Sequence, residues 1–317
     1  MASAPDLSVV LPADSARQAA HAARAFGQQF GADRVELVLV SPAEPPIEVS
    51  ELADADRFWG VEVVTVPDHG ELHRSRAAGI RAARAPIVAL AETHAFPQRG
   101  WLDAVLAAFA RDGETVVGPA MTNATSRTAI GWSNFLLDYG PWAEPVEPGD
   151  GSSVPGHNSV FRREALLALG DDLESLLRID LMLIERLVGE GGRVKLAPAA
   201  RVAHLSVERV GPWLRERLLA GQLFATTRAS DWSGGRRFVY ALASPAIPLI
   251  RAPRVRSDFR RTRDQQPAPR RVALVTAVGL LASALGEHLG YAYGISRRAR
   301  GVLYDIELDR VRYVRRG

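Results

Sequence analysis

The chain of 317 residues contains no cysteine, which excludes a disulfide framework, thiol catalysis and cysteine-ligated zinc. Lysine is nearly absent too: Lys195 is the single one, so arginine carries the positive charge. There is no Gly-Lys-Ser/Thr phosphate loop, no Gly-x-Gly-x-x-Gly after the first apolar run and no Gly-x-Ser-x-Gly elbow. These absences argue against P-loop hydrolysis, a dinucleotide fold and an α/β-hydrolase. Met1–Leu7 has neither a basic start nor an apolar run, so a secretory signal is not expected and the cytoplasmic side is favoured. No uncharged apolar run reaches the ~20 residues that a membrane-crossing helix wants. What remains is globular composition, 47% hydrophobic and 24% charged, in a length that admits one large domain or two modest ones.

The charge is unevenly placed. From Arg251 to Gly317 there are 15 arginines against 6 acids, so the net charge of +3 conceals a basic tail on an acidic remainder. Anionic lipid or nucleic acid would suit such a tail. It lacks the interleaved aromatic platforms of a single-strand binder, so nucleic acid is set aside.

The first half alternates strand and helix signals. Apolar runs at Leu7–Leu11, Val35–Val40, Val61–Val66, Pro86–Leu90 and Glu114–Val117 predict strands. Helical spacing covers Ser15 to Phe30, Leu72 to Arg84 and Trp101 to Ala110. Continuous apolar strands separated by helices imply an α/β fold, a mixed and mostly parallel sheet with helices on both faces. From Asn123 to Pro155 the pattern loosens around Trp132, Phe135, Tyr139 and Trp142, and reads as a packed long loop or an acceptor-binding loop. Ser159–Phe161 predicts a short strand, Arg163–Leu169 a helix closed by Gly170, Leu176–Val188 an apolar helix holding Asp180, and Arg193–Leu196 a last strand. After His204 the character changes. Val210 to Arg228 reads as an amphipathic helix, Phe238–Ile250 as an apolar run broken by Pro245 and Pro248, and Val272–Gly286 as an uncharged run too short to span, although it reaches Ile295 if Glu287 and His288 are tolerated. The expected division is therefore 1–207, a catalytic domain, and 208–317, a helical Arg-rich region that lies in a membrane interface or packs as an ordinary subdomain.

In open α/β sheets ligands bind beyond the carboxyl ends of the strands. There the stretch Ala91-Glu92-Thr93-His94-Ala95-Phe96-Pro97 follows a predicted strand. In extended backbone Glu92 and His94 would face the same way, and a carboxylate with an imidazole can share a divalent cation.

The order of motifs is more specific than any one of them. An apolar strand ends at Pro12 and another at Ser41; Gly70…Arg76-x-x-Gly79 follows; then come Ile87-Val-Ala-Leu-Ala-Glu-Thr-His94 with Gly100-Trp101, Gly156-His-Asn-x-x-Phe-Arg-Arg163, Asp180…Arg186-Leu187 and His204. From Leu7 to about Leu205 this resembles the family 2 glycosyltransferases, which have the GT-A fold. The resemblance implies an inverting transferase that takes a nucleotide-sugar donor and a lipid-linked or polysaccharide acceptor in cell-envelope synthesis. Glu92-Thr93-His94 stands at the family's Asp-x-Asp, which holds ribose and a Mn²⁺ or Mg²⁺ on the diphosphate; His204 would complete a metal set with Glu92 and His94. Imidazole suits Mn²⁺ better than Mg²⁺.

Donor contacts are expected from Pro12, Asp14, Ser41, Glu44, Arg76 and Glu92. Arg76 would pair with phosphate or hold the loop. Gly156, His157 and Asn158 match the acceptor loop, with Arg162 and Arg163 behind them, Arg163 as an aid to the diphosphate. Asp180 matches the family's general base, with Glu174 as its substitute. The other partners implied are an anionic membrane surface and, left open, a second copy of the chain. A rival reading from another class is a catalytically weak GT-A-like module that binds nucleotide or glycan in a membrane assembly; turnover separates the two.

Overall fold

The structure is a computed structural model that describes residues 4–67, 71–110, 113–150 and 153–315, with the side chains of Asp150 and Asp180 outside the description. Gly70 of the sequence motif lies outside the described residues. The elements in chain order are β1 (Leu7–Pro12), α1 (Ala16–Gly27), β2 (Val35–Pro42), β3 (Gly60–Val66), α2 (Leu72–Ala82), β4 (Ile87–Leu90), β5 (Ala95–Pro97), α3 (Trp101–Phe109), β6 (Glu114–Asn123), α4 (Ala129–Tyr139) and β7 (Gly149–Asp150). They continue with β8 (Val160–Arg162), α5 (Arg163–Ala168), α6 (Asp172–Leu176), α7 (Asp180–Gly189), β9 (Arg193–His204), α8 (Val210–Arg228), α9 (Gly234–Ala243), α10 (Ile247–Arg261), α11 (Pro269–Tyr293) and α12 (Arg297–Leu308). The chain divides into two compact units, residues 1–122 with 146–203, and residues 123–145 with 204–317. The last residues of β6 and β9, Asn123 and His204, are counted with the second.

The first unit is built on a mixed sheet with strand order β3-β2-β1-β4-β8-β6-β9-β5, β7 lying beside β9. Strands β3, β2, β1 and β4 form a parallel block, and β8 runs antiparallel to both β4 and β6. The apolar runs form these strands because both of their faces are covered. On one side Val10, Val38 and Leu90 pack against Ile80 of α2, Leu166 of α5 and Leu183 of α7. On the other, Leu7, Val9, Leu11 and Leu37 are also completely buried. Each such side chain contributes roughly 1.5–3 kcal/mol.

Local devices set the helices. The Ser15 hydroxyl accepts from the Gln18 N–H at 3.4 Å and starts α1. A Cβ on Gly79 would come within 2.4 Å of Val10 Cγ1 and 2.9 Å of Val40 Cγ2, so glycine there lets α2 seat against the sheet. Glu36 interrupts the apolar run of β2, and the cost of burying it is offset by partners: Ser8 Oγ donates to it at 2.5 Å and Arg84 Nη1 at 2.7 Å.

Two sequence expectations change here. The long helix expected at Leu176–Val188 is two helices: α6 ends at Leu176, Ile179 is extended, and Asp180 opens α7. The expected strands at Glu114–Val117 and Arg193–Leu196 run on to Asn123 and His204.

The second unit is helical. The stretch from Asn123 to Pro155, expected as a loop, contains α4. Thr128 Oγ1 caps it by accepting from the Gly131 N–H at 3.0 Å, and Trp132, Phe135 and Tyr139 bury one helical side. Helices α8 and α11 lie side by side at backbone contact. A Cβ on Gly286 would sit 2.0 Å from Leu218 O, one on Gly290 2.4 Å from Gln222 O, and one on Gly221 2.3 Å from Ser283 O.

The buried side of α8 is not wholly apolar, as an amphipathic pattern would have it: beside Trp213, Leu219 and Ala225 it holds charged groups. It carries Glu216, 2.8 Å from Arg310 Nη1, and Arg217, which donates to both oxygens of Asp138 at 2.6 and 3.0 Å. Burial pushes the Glu216 carboxyl up, while Arg310 and Arg217 pull it down. The run Val272–Gly286 extends into a helix of 25 residues because Glu287 is absorbed: Arg251 Nη2 donates to it at 2.7 Å. By length and composition alone α11 could cross a membrane, but 44% of its most apolar window is buried inside the protein.

Candidate active site

At the carboxyl end of β4 the chain does not stay extended. It closes a turn in which Ala95 N–H donates to Glu92 O at 3.3 Å. The side chains meet nonetheless, His94 Nε2 lying 3.7 Å from Glu92 Oε2. The loop before β8 is fastened to the same strand: Asn158 N–H donates to Leu90 O at 2.8 Å, and Leu90 N–H to Ser159 O at 3.0 Å. Asn158 holds φ +73°, a left-handed conformation that asparagine tolerates. This turns its side chain onto the carboxylate, where Nδ2 donates to Glu92 Oε2 at 2.7 Å. From α2, Arg76 places Nη2 4.0 Å from Glu92 Oε1 and Nη1 3.3 Å from His157 Nε2. Glu92 and His94 are 5% and 1% exposed, so the carboxylate sits in a low-dielectric setting beside a cation and an amide donor.

His204 ends β9, buried, its ring 4.4 Å from that of Tyr139. Glu92 and His94 belong to the first unit and His204 to the second. One carboxylate and two imidazoles are a donor set compatible with a divalent cation, and mixed oxygen and nitrogen suit Mn²⁺ better than Mg²⁺.

Residues 21–170 match the family described as Glycosyl transferase family 2. The match spans just under half of the chain and likens that segment to the family 2 glycosyltransferases. The chain is 27% identical over 224 residues to the pre-mycofactocin glycosyltransferase of Mycobacterium tuberculosis (strain H37Rv), which covers 68% of this chain and 46% of that protein. It is 26% identical over 195 residues to polypeptide N-acetylgalactosaminyltransferase 4 of Caenorhabditis elegans, covering 54% of this chain and 33% of the relative. The chain thus spans less than half the length of these relatives. Among solved structures, GalNAc-T7 with UDP, GalNAc and Mn²⁺ has a TM-score of 0.47 at 16% identity, over 63% of this chain and 43% of that one.

Within the first unit the other expected residues separate. Pro12 is buried at the end of β1, and Asp14 is exposed, its N–H donating to Gln18 Oε1 at 2.8 Å. Ser41 Oγ accepts from Ile47 N–H at 2.8 Å and so shapes the loop in which Glu44 is exposed. Gly156 begins the turn that presents His157 and Asn158. Arg163 does not join them. Its N–H donates to Pro86 O, at the amino end of β4, and its guanidinium donates to Ile80 O and Arg81 O at 3.3 and 3.0 Å, capping α2. Arg162 likewise donates to Phe109 O and Glu114 O. Antiparallel pairing of β8 with β4 puts both arginines at the opposite sheet edge from Glu92. Asp180 is the first residue of α7, its side chain outside the described residues. Glu174 on α6 pairs with Arg81 at 3.1 Å and Arg74 at 4.0 Å.

One cluster escaped the sequence reading. His73, in the first turn of α2, accepts from Arg178 Nε at 3.2 Å, and Glu71 Oε2 lies 3.1 Å from the same ring nitrogen. Burial, aided by Arg178, lowers the His73 pKa to about 4, so the ring is neutral. The contact ties the start of α2 to the segment two residues before Asp180. The available signal was a histidine and an acid flanking a helix start, too common to single out.

Proposed function

We propose that the chain is an inverting glycosyltransferase, moving a sugar from a nucleotide-sugar to a hydroxyl of a lipid-linked or polysaccharide acceptor in cell-envelope synthesis at the cytoplasmic face of a membrane. The observation that carries the transferase reading is the buried Glu92–Asn158–Arg76 cluster at the carboxyl end of β4, inside the segment that matches the family 2 glycosyltransferases. Both curated relatives are named as glycosyltransferases, which supports it.

In the proposed reaction Asp180 takes the proton from the acceptor hydroxyl. The acceptor oxygen bonds the sugar C1 from the face opposite the diphosphate, the C1–O bond breaks, and the nucleoside diphosphate leaves with the electron pair. Glu92, His94 and His204 would hold a divalent cation, which supplies positive charge where the diphosphate becomes more negative. Asn158 and Arg76 keep the Glu92 carboxylate in one orientation. Pro12, Asp14, Ser41 and Glu44 border the donor side, with Gly156 and His157 on the acceptor side. Residues 1–207 would form the catalytic domain and 208–317 the membrane-facing region.

The deciding experiment is a panel of sugar nucleotides tested for binding and turnover with Mn²⁺, Mg²⁺ or chelator. Turnover that chelator removes and Mn²⁺ restores, lost in Glu92→Ala and in Asp180→Asn with donor binding kept in the latter, is the expected result. Binding without any turnover would favour the binding-module reading, and full activity in chelator would refute the metal role.

A further inference from the structure

Large apolar side chains that a folded protein leaves in water are informative when they cluster. Seventeen are exposed among the described residues, and ten of them fall on α9, the start of α10, and α11. On α9 and α10, Phe238 is 64% exposed, Leu249 77% and Ile250 74%. These two helices meet in a short turn, Ser244–Ala246, so the apolar residues of both flank one corner of the second unit. On α11 the exposed residues Leu274, Val278, Leu281 and Leu285 recur at intervals of four, three and four, which is a single stripe on a helix.

The surroundings of this apolar surface are cationic and aromatic. Arg236, Arg254, Arg256, Arg270 and Arg271 are exposed on the same three helices. Beside them Trp232 and Tyr240 are half-buried, with the Arg236 guanidinium 4.0 Å from the Trp232 ring centre and Arg228 5.4–5.5 Å from both rings. Tryptophan, tyrosine and arginine next to exposed aliphatic side chains match the chemistry of the headgroup layer, apolar below and anionic above.

The other side of α11 decides how it meets a membrane. From Ser283 to Gly290 it is packed at backbone contact on α8, a helix carrying Glu216, Arg217 and Arg228. It cannot cross a bilayer without dragging that charged helix along.

We infer that the outer faces of α9, α10 and α11 form a docking surface for an anionic lipid bilayer, with α11 lying along the interface rather than spanning it. The occupant is a bilayer because the same three helices carry exposed aliphatic side chains and arginines, with Trp232 and Tyr240 beside them, a combination that complements acyl chains and anionic headgroups together. This specifies the membrane part of the proposed function and rests on it.

The test is flotation of the full chain with phosphatidylcholine vesicles with and without phosphatidylglycerol, at low and high salt, for the native chain and Phe238→Glu/Ile250→Glu. Both positions are largely exposed, so the variant should fold. Circular dichroism and sugar-nucleotide binding in solution check this independently of lipid. The expected result is binding to the anionic vesicles only, weakened at least about tenfold by high salt and again by the double variant. Equal binding by the double variant, or a chain that only detergent releases, would overturn the inference. So would a chain that ignores anionic vesicles and whose oligomeric state drops in the variant, which would assign the surface to a second copy. Loss of sugar-nucleotide binding in the native chain with vesicle binding intact would instead strike at the transferase reading.

Discussion

Asn158 offers the sharpest probe of the site, because its backbone and its side chain can be perturbed separately. Its φ of +73° costs an alanine about 1–2 kcal/mol and a glycine nothing. Its Nδ2 bond to Glu92 Oε2, at 2.7 Å, is a hydrogen bond to a buried charged group, worth about 1.5–3 kcal/mol. Asn158→Gly should therefore lose about the bond alone, and Asn158→Ala the bond and the backbone term, about 2.5–5 kcal/mol together. Asn158→Asp keeps the shape but sets a second carboxylate against Glu92, so one of the two must take up a proton and activity should acquire a new dependence on pH. Denaturant unfolding measures the first two effects, and steady-state turnover with Mn²⁺ titration calorimetry measures the third. Because a mis-set group of the active site costs on the order of a hundredfold in rate, both Gly and Ala variants should lose turnover to a similar extent despite their different stabilities. An Asn158→Gly chain with unchanged unfolding midpoint, turnover and Mn²⁺ affinity would refute the assignment of Asn158 as the residue positioning Glu92.

Two further outcomes follow from buried charge. Arg310→Leu leaves Glu216 in the second unit with only the more distant Arg217, 3.6 Å away, and should destabilise it by up to about 3–5 kcal/mol, whereas Glu216→Leu/Arg310→Leu should recover much of that, as read from unfolding midpoints; a double variant no better than the single would contradict the pairing. His73 is held neutral, with its pKa lowered to about 4 from the 6.5 of the unfolded chain, so the unfolded state binds more protons between these values. Its contribution to stability is complete above about pH 6.5 and is lost as the pH falls toward about 4. His73→Gln should flatten the stability curve across that window, and an unchanged curve would argue against the neutral ring.

Much of the fold was legible from local pattern. Strands β1, β2 and β3 and helix α8 stand within a residue or two of where periodicity puts them, since an apolar run buried on two faces and a helix of nineteen residues are written in consecutive side chains. Glu92 and His94 were legible as neighbours for the same reason, being two residues apart. Their meeting in a turn rather than a strand was not. Helix α4 was hidden because its signal, Trp132-x-x-Phe135-x-x-x-Tyr139, lies in a glycine- and proline-rich stretch. It stands on a Thr128 cap, and one buried helical side is what gives the three rings their place. The length of α11 hung on whether Glu287 is tolerated, and Arg251, thirty-six residues away, is what neutralises it.

The same holds at the site. Arg163 follows Asn158 by five residues and looks like its companion. Antiparallel pairing of β8 with β4 carries it instead to the amino end of β4, while Asn158 stays at the carboxyl end beside Glu92. Which side chains can touch a carboxylate depends on strand direction and register, and these are set by pairings between residues far apart in sequence. The sequence by itself determined the elements and the types of group available, and tertiary pairing decided which of those groups meet.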